Sequence, residues 1–156
     1  DGRVMPLPKN LPEEMLEKRA GVFVSLHKKP DDELRGCIGT FLPTCKNIAA
    51  EIIQNAISAA TQDYRFSPIE AREIPGLEIA IDVLSEPEQI QSPNELNPQK
   101  YGVIVRSQND SRSGLLLPGL PRVNTAQEQI SIARQKAGID QSGPVLLFRF
   151  TVKRHK

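Results

Sequence analysis

The chain has 156 residues, with 20 Lys+Arg against 19 Asp+Glu, so its net charge is +1. That length suits about one domain, and the even charge balance excludes a broad basic footprint for DNA or an anionic membrane. Hydrophobic residues at 38% and charged residues at 25% exclude a disordered chain, and no apolar run approaches the length of a spanning helix. Two cysteines cannot build a disulfide scaffold. They suit a reducing compartment, so a cytoplasmic protein is expected. The 13 prolines imply many element boundaries.

In chain order, residues 1–19 read as an irregular segment. Pro6, Pro8 and Pro12 prevent a continuous helix, and Leu11 to Arg19 has room for one short helical turn or two. The first residue is not Met, which suggests the interior of a longer polypeptide. Gly21 to Lys29 reads as a strand, Pro30-Asp31-Asp32 as a turn and Leu34 to Leu42 as the returning strand of a hairpin. Strict alternation puts Leu34, Ile38 and Leu42 on one face and Arg35, Cys37 and Phe41 on the other. Thr44 is the expected N-cap of a long helix over Lys46 to Gln62, whose isoleucines and alanines recur at helical spacing. Ser67-Pro68-Ile69-Glu70 carries the signature of a second, short helix.

Leu77 to Ser85 is the clearest strand. Ser92 to Glu95 repeats the short-helix signal, and Tyr101 to Ser107 with Gly114 to Pro118 reads as a second hairpin. The pair Thr125 and Glu128 forms a capping box for a helix that ends at Gly138. Val145 to Lys153 closes the chain as one strand. Hairpins with few crossovers indicate an α+β fold, an antiparallel-dominated β-sheet with flanking helices.

The run Leu34-Arg35-Gly36-Cys37-Ile38-Gly39 stands out for chemistry. Two glycines weaken a strand, and a chain tolerates them where a backbone, a ligand or a bulge demands it. A guanidinium beside a thiol favours the nucleophilic thiolate, and the same Arg35 can hold a carboxylate or phosphate through paired hydrogen bonds. The plainer alternative is an unreactive buried Cys37 in a bulged strand, with Arg35 paired to an acid. Arg65, between Tyr64 and Phe66, either binds an anion or ties down its loop through a carboxylate. Cys45 is placed in the first turn of the long helix, where the dipole favours a thiolate; a tolerated surface thiol is the plainer account. Cys37 and Cys45 are eight residues apart, a spacing that matches no zinc or redox motif. No GxSxG elbow, phosphate loop or HExxH occurs, so neither metal nor cofactor is expected.

The LRGCIG run, with Asp63, Arg65-Phe66 and Pro68 after the long helix, Tyr101-Gly102-Val103, and Leu116-Leu117-Pro118, resembles the AMMECR-one family. The likeness covers residues 20–156 and is strongest to the bacterial branch. It implies an α+β fold, described for some members as a larger and a smaller subdomain, and a molecular activity that is unassigned. It also implies a Memo-like domain, related to extradiol dioxygenases, in the same longer polypeptide or beside it, and a radical-SAM protein as a further partner. The family signature falls here on Leu34, Arg35, Gly36, Cys37, Ile38 and Gly39. Two functions follow. One is an accessory binding module that acts with those partners through the LRGCIG strand, with Arg35, Gly36, Gly39 and Arg65 at the ligand. The other is a small enzyme that uses Cys37 as thiolate nucleophile or acid/base while Arg35 holds an anionic substrate. RNA binding is disfavoured by the neutral charge balance.

Overall fold

A computed structural model describes residue 4 and residues 6–156; within the segment 1–19, residues 1–3 and 5 lie outside the described part. The elements are α1 (Glu13–Glu17), β1 (Val22–Lys28), β2 (Glu33–Thr40), α2 (Ile48–Thr61), β3 (Leu77–Leu84), β4 (Glu88–Ile90), β5 (Gly102–Ser107), β6 (Ser113–Leu116), α3 (Ala126–Lys136), β7 (Val145–Phe150) and β8 (Val152–His155). Short 3-10 turns cover Ile74–Gly76 and Pro93–Glu95. The class is α+β, as the sequence implies. The strands divide between two sheets of four, ordered β2-β1-β3-β8 and β4-β7-β5-β6. The chain forms two compact units: the first runs to Leu84 and takes in Lys153–Lys156, and the second is Ser85–Val152.

In the first unit, β1 pairs antiparallel with both β2 and β3. Val22, Val24 and Leu26 alternate onto one face and are fully or almost fully buried, where they meet Ile48 and Ala59 of α2. Burying each such side chain is worth about 1.5–3 kcal/mol. The opposite face of β1 carries Phe23, Ser25 and His27. The helix α2 starts later than the sequence suggests. Its N-cap is Asn47, whose side chain accepts from the Ala50 N–H. Thr44 instead bonds Glu51, so Cys45 lies before the helix and not in its first turn.

Glu51 is wholly buried, yet it accepts hydrogen bonds from the Thr40 hydroxyl (2.5 Å), the Thr44 N–H and hydroxyl (2.8 and 2.9 Å) and the Cys45 N–H (2.6 Å). Burial pushes its carboxyl up, and these donors outweigh burial and hold it below its ordinary value.

The short helix expected at Ser67 does not form; residues 67–73 are loop and turn. Its local signal loses to tertiary contacts, because the Glu73 carboxylate accepts from Arg35 and from the Glu70 N–H. The Ile69 N–H donates to the Ala60 carbonyl instead of forming a helical turn.

In the second unit, β5 pairs antiparallel with β6 and β7, and β7 with β4. The capping box of Thr125 and Glu128 opens α3, and Gly138, at φ +64°, follows its end. The helix approaches β6 so closely that a Cβ on Gly114 would lie 2.1 Å from the Ala133 carbonyl oxygen. The single closing strand expected over Val145 to Lys153 is two. The break falls at Thr151, whose backbone N–H and carbonyl are both taken by Ser85, and β8 then joins the other sheet.

Candidate functional site

The site is built on β2, an edge strand of the first sheet. Its register with β1 matches Leu26 to Gly36 and His27 to Leu34, so Arg35 is the unmatched residue of a β-bulge. Cross-strand partners share a face. The bulge therefore moves Leu34 onto the His27 face and leaves Gly36 and Ile38 on the core face with Leu26 and Val24. The strict alternation expected over Leu34 to Leu42 fails here, and Leu42 lies beyond the strand, 54% exposed.

The bulge sends Arg35 into the protein. The residue is buried, and its Nε and Nη2 donate to Glu73 at 2.8 and 3.1 Å while Nη1 donates to the Ser67 carbonyl at 2.9 Å. All three nitrogens are thus engaged internally, and Arg35 holds the Glu73 carboxyl below its usual range. Gly36 faces α2, and a Cβ there would meet the Ala59 carbonyl oxygen at 2.3 Å. Gly39 lies under Phe23, whose ring a Cβ would meet at 2.2 Å. Both glycines therefore have a packing reason.

An edge strand leaves its outer N–H and C=O groups without a strand partner. Here the loop after α2 supplies one. Asp63 Oδ2 accepts from the Cys37 N–H at 2.9 Å, and Arg65 Nη2 reaches the Cys37 carbonyl at 3.4 Å. The Asp63 carboxylate also accepts from the Arg65 N–H, Nε and Nη2 at 3.1, 2.9 and 2.7 Å. One Asp–Arg pair thus stands in for a neighbouring strand. Arg65 holds the Asp63 carboxyl far below the carboxylate range; burial opposes this, and the Cys37 N–H adds to it. Phe66 lies between the two arginines, its ring centre 6.0 Å from the Arg35 guanidinium and 5.4 Å from that of Arg65. Tyr64, between these anchored residues, is 97% exposed.

Cys37 is half-buried and lies opposite Ser25, which lies opposite Ala80. The next row is Gly39, Phe23 and Asp82. Asp82 is buried and takes a bidentate pair from Arg154 of β8, both bonds 2.7 Å. Arg65 and Arg154 are both held above the usual arginine range. Their bonds to Asp63 and Asp82 do most of this against burial, and Coulombic attraction to Cys37 adds to it. Cys37 therefore has the Arg65 guanidinium at its own carbonyl, and Arg154 bonds Asp82 in the row next to it; each guanidinium is already paired with a buried aspartate.

The structure thus gathers Arg35, Cys37 and Arg65 around one loop and turns Gly36 to the core. Sequence reasoning missed Glu73, Asp82 and Arg154. A signal for Asp82 was present, an acid in the midst of the apolar run Leu77 to Leu84. No group of three or more His, Cys, Asp or Glu side chains that could hold a metal occurs among the described residues.

Fold and site together define an α+β chain of two antiparallel sheets, with an LRGCIG edge strand sealed by an Asp–Arg loop. The AMMECR1 family model matches residues 2–155, and the chain belongs to that family. A protein of Thermotoga maritima is 49% identical over 156 residues, spanning 99% of this chain and 88% of that protein. Protein CA_C1420 of Clostridium acetobutylicum is 47% identical over 150 residues, which cover 96% of this chain but 31% of that longer protein. The crystal structure of the uncharacterized protein PH0010 from Pyrococcus horikoshii superposes with a TM-score of 0.85 at 31% identity, covering 98% of this chain and 80% of that one. Among the described residues no helix is long and apolar enough to cross a membrane.

Proposed function

We propose that this chain is an accessory binding module that acts with a second protein through the face and edge of the LRGCIG strand. The Clostridium relative carries this reading. At 47% identity its matching segment makes up 31% of a longer chain, so in that organism the domain works joined to something else. The partner classes that the family resemblance suggests are a Memo-like domain and a radical-SAM protein, in the cytoplasm. The arginines speak for a protein partner rather than a small anionic ligand. Arg35, Arg65 and Arg154 are each paired with an internal carboxylate, and a neutralised guanidinium has little left to offer an anionic substrate.

The test is titration calorimetry and co-elution of the full chain with a purified Memo-like protein and a purified radical-SAM protein. Saturable association at micromolar concentration with either one, weakened by Tyr64→Ala, is expected. No heat and no co-elution with either would sink the reading.

A second reading keeps Cys37 as a thiolate nucleophile or acid/base. The observation favouring it is the Arg65 guanidinium at the Cys37 carbonyl with Arg154 on Asp82 in the row beside it, since nearby cations are the setting in which cysteines become reactive. For Arg35 to hold a substrate it must first release Glu73. Iodoacetamide labelling decides: on this reading Cys37 alkylates faster than Cys45 at neutral pH, and equal or slower labelling of Cys37 removes the enzyme.

A further inference from the structure

The second unit holds a cavity unconnected with the LRGCIG strand. The helix α3 packs over β5 and β6, drawn down where Gly114 meets Ala133. Above the neighbouring strand β7, about 330 Å³ of space opens over Val145 and Leu147. That lies at the lower end of the range for small-molecule sites.

The wall facing Val145 and Leu147 is one stripe of α3, Gln127, Ile130, Ser131 and Arg134, at i, i+3, i+4 and i+7. A stripe turned toward a sheet ordinarily packs apolar residues. Here only Ile130 is apolar, so the stripe leaves a gap with an apolar floor and a polar wall. Gln141 closes one end, its Nε2 donating to the Ser131 carbonyl at 3.2 Å.

Arg134 supplies the charge. Its Nη1 donates to the carbonyls of Asp140 and Gly143 at 2.5 and 2.9 Å, which fixes the guanidinium in place. Carbonyl oxygens accept these bonds without cancelling the positive charge. The Asp140 carboxylate hydrogen-bonds Ser142 rather than Arg134, accepting from its N–H and hydroxyl at 2.8 and 2.6 Å, and it feels the Arg134 charge only through space. Arg149, on the same face of β7, is by contrast neutralised by Glu88. With Nη1 occupied, Arg134 retains the Nε and Nη2 donors, the pair that suits the two oxygens of a carboxylate.

We infer that this cavity binds a small carboxylic acid, its carboxylate on Arg134 and its apolar body over Val145, Leu147 and Ile130. A single guanidinium with no carboxylate hydrogen-bonded to it suits a monoanion, and the apolar floor favours a hydrocarbon body over inorganic phosphate.

NMR titration of the isotope-labelled full chain tests this, with hexanoate as probe, hexanamide as the uncharged control and inorganic phosphate as the anion without an apolar body. Hexanoate is expected to give saturable shifts confined to residues of the cavity, and both controls to bind at least about tenfold more weakly, the loss expected for a charged hydrogen-bonded contact. Arg134→Gln should weaken hexanoate by a similar factor. Because Arg134 also secures the 140–143 loop, Ser131→Phe, which fills the cavity and leaves the Arg134 contacts in place, provides a second arm and should abolish binding. Absence of saturation, equal binding of hexanamide, shifts mapped elsewhere, or wild-type binding by Ser131→Phe would each overturn the site.

Discussion

Glu51 shows how a single residue holds a segment. Its carboxylate is wholly buried and gathers four donors from Thr40, Thr44 and Cys45, tying β2 and the loop after it to α2. Glu51→Gln turns an amide NH2 toward those donors and should cost about 2–4 kcal/mol in urea unfolding. The pH dependence follows from the sign of the shift. The folded carboxyl lies below its ordinary value of 4.5, so its contribution is complete above that value and fades as pH falls through the lower, folded one. The stability gap between wild type and Glu51→Gln should therefore be constant near neutrality and shrink below about pH 4.5; a gap that widens on acidification contradicts this. Asp63 acts similarly on the Cys37 N–H. Asp63→Ala should speed hydrogen exchange at the Cys37 amide well beyond any change at Val24, in the middle of the sheet, because the edge loses its substitute strand.

At the scale of elements, both units use the same device, a strand glycine beneath a helix carbonyl: Gly36 under Ala59 and Gly114 under Ala133. In each, a backbone atom sits where a Cβ would be, so a side chain cannot be accommodated by a rotamer change. Gly36→Ala and Gly114→Ala should each cost about 1–3 kcal/mol. By calorimetry that lowers Tm by about 2–4 °C per kcal/mol for a chain of this size; an unchanged Tm would show that the helix shifts freely. Several elements were legible in the sequence because their signals are local: the alternation of Leu77 to Leu84, the capping box at Thr125 and Glu128, the terminating Gly138. The helix expected at Ser67 was not, since Arg35, more than thirty residues earlier in the chain, bonds the Ser67 carbonyl and the Glu73 carboxylate and holds the segment as loop and turn. The bulge at Arg35 was missed in detail for the same reason. Two glycines in a strand hint at it, but only the pairing with β1 shows which residue is left over.

At the scale of the whole molecule, the first sheet is completed by the last residues of the chain. The strand β8 takes the edge beyond β3, and Arg154 pairs with the buried Asp82. Removing residues 153–156 leaves a buried carboxylate without its partner, which is strongly destabilising in general. Since Arg154 is half exposed, Arg154→Gln should cost a moderate amount, about 1–3 kcal/mol. Asp82→Asn in the same chain should recover part of it, and the sum of single effects minus the double in a denaturation cycle measures the coupling. Independent, additive effects would show that the pair does not stabilise the sheet.

By itself the sequence determined the α+β class, most element positions, the LRGCIG strand as the place of interest and the family resemblance. The element positions rest on short local patterns, and the class and the resemblance on the order in which such patterns follow one another along the chain. Only the tertiary structure decided that the strands form two sheets, that Val145 to Lys153 breaks at Thr151, and that Arg35, Arg65 and Arg154 are paired with Glu73, Asp63 and Asp82. The spacing of charges along a chain does not say which cation meets which acid. That is settled when distant segments pack and each buried charge must find a partner, and here Arg35 and Arg65, which the sequence offered to a ligand, are each paired with an acid of the same chain.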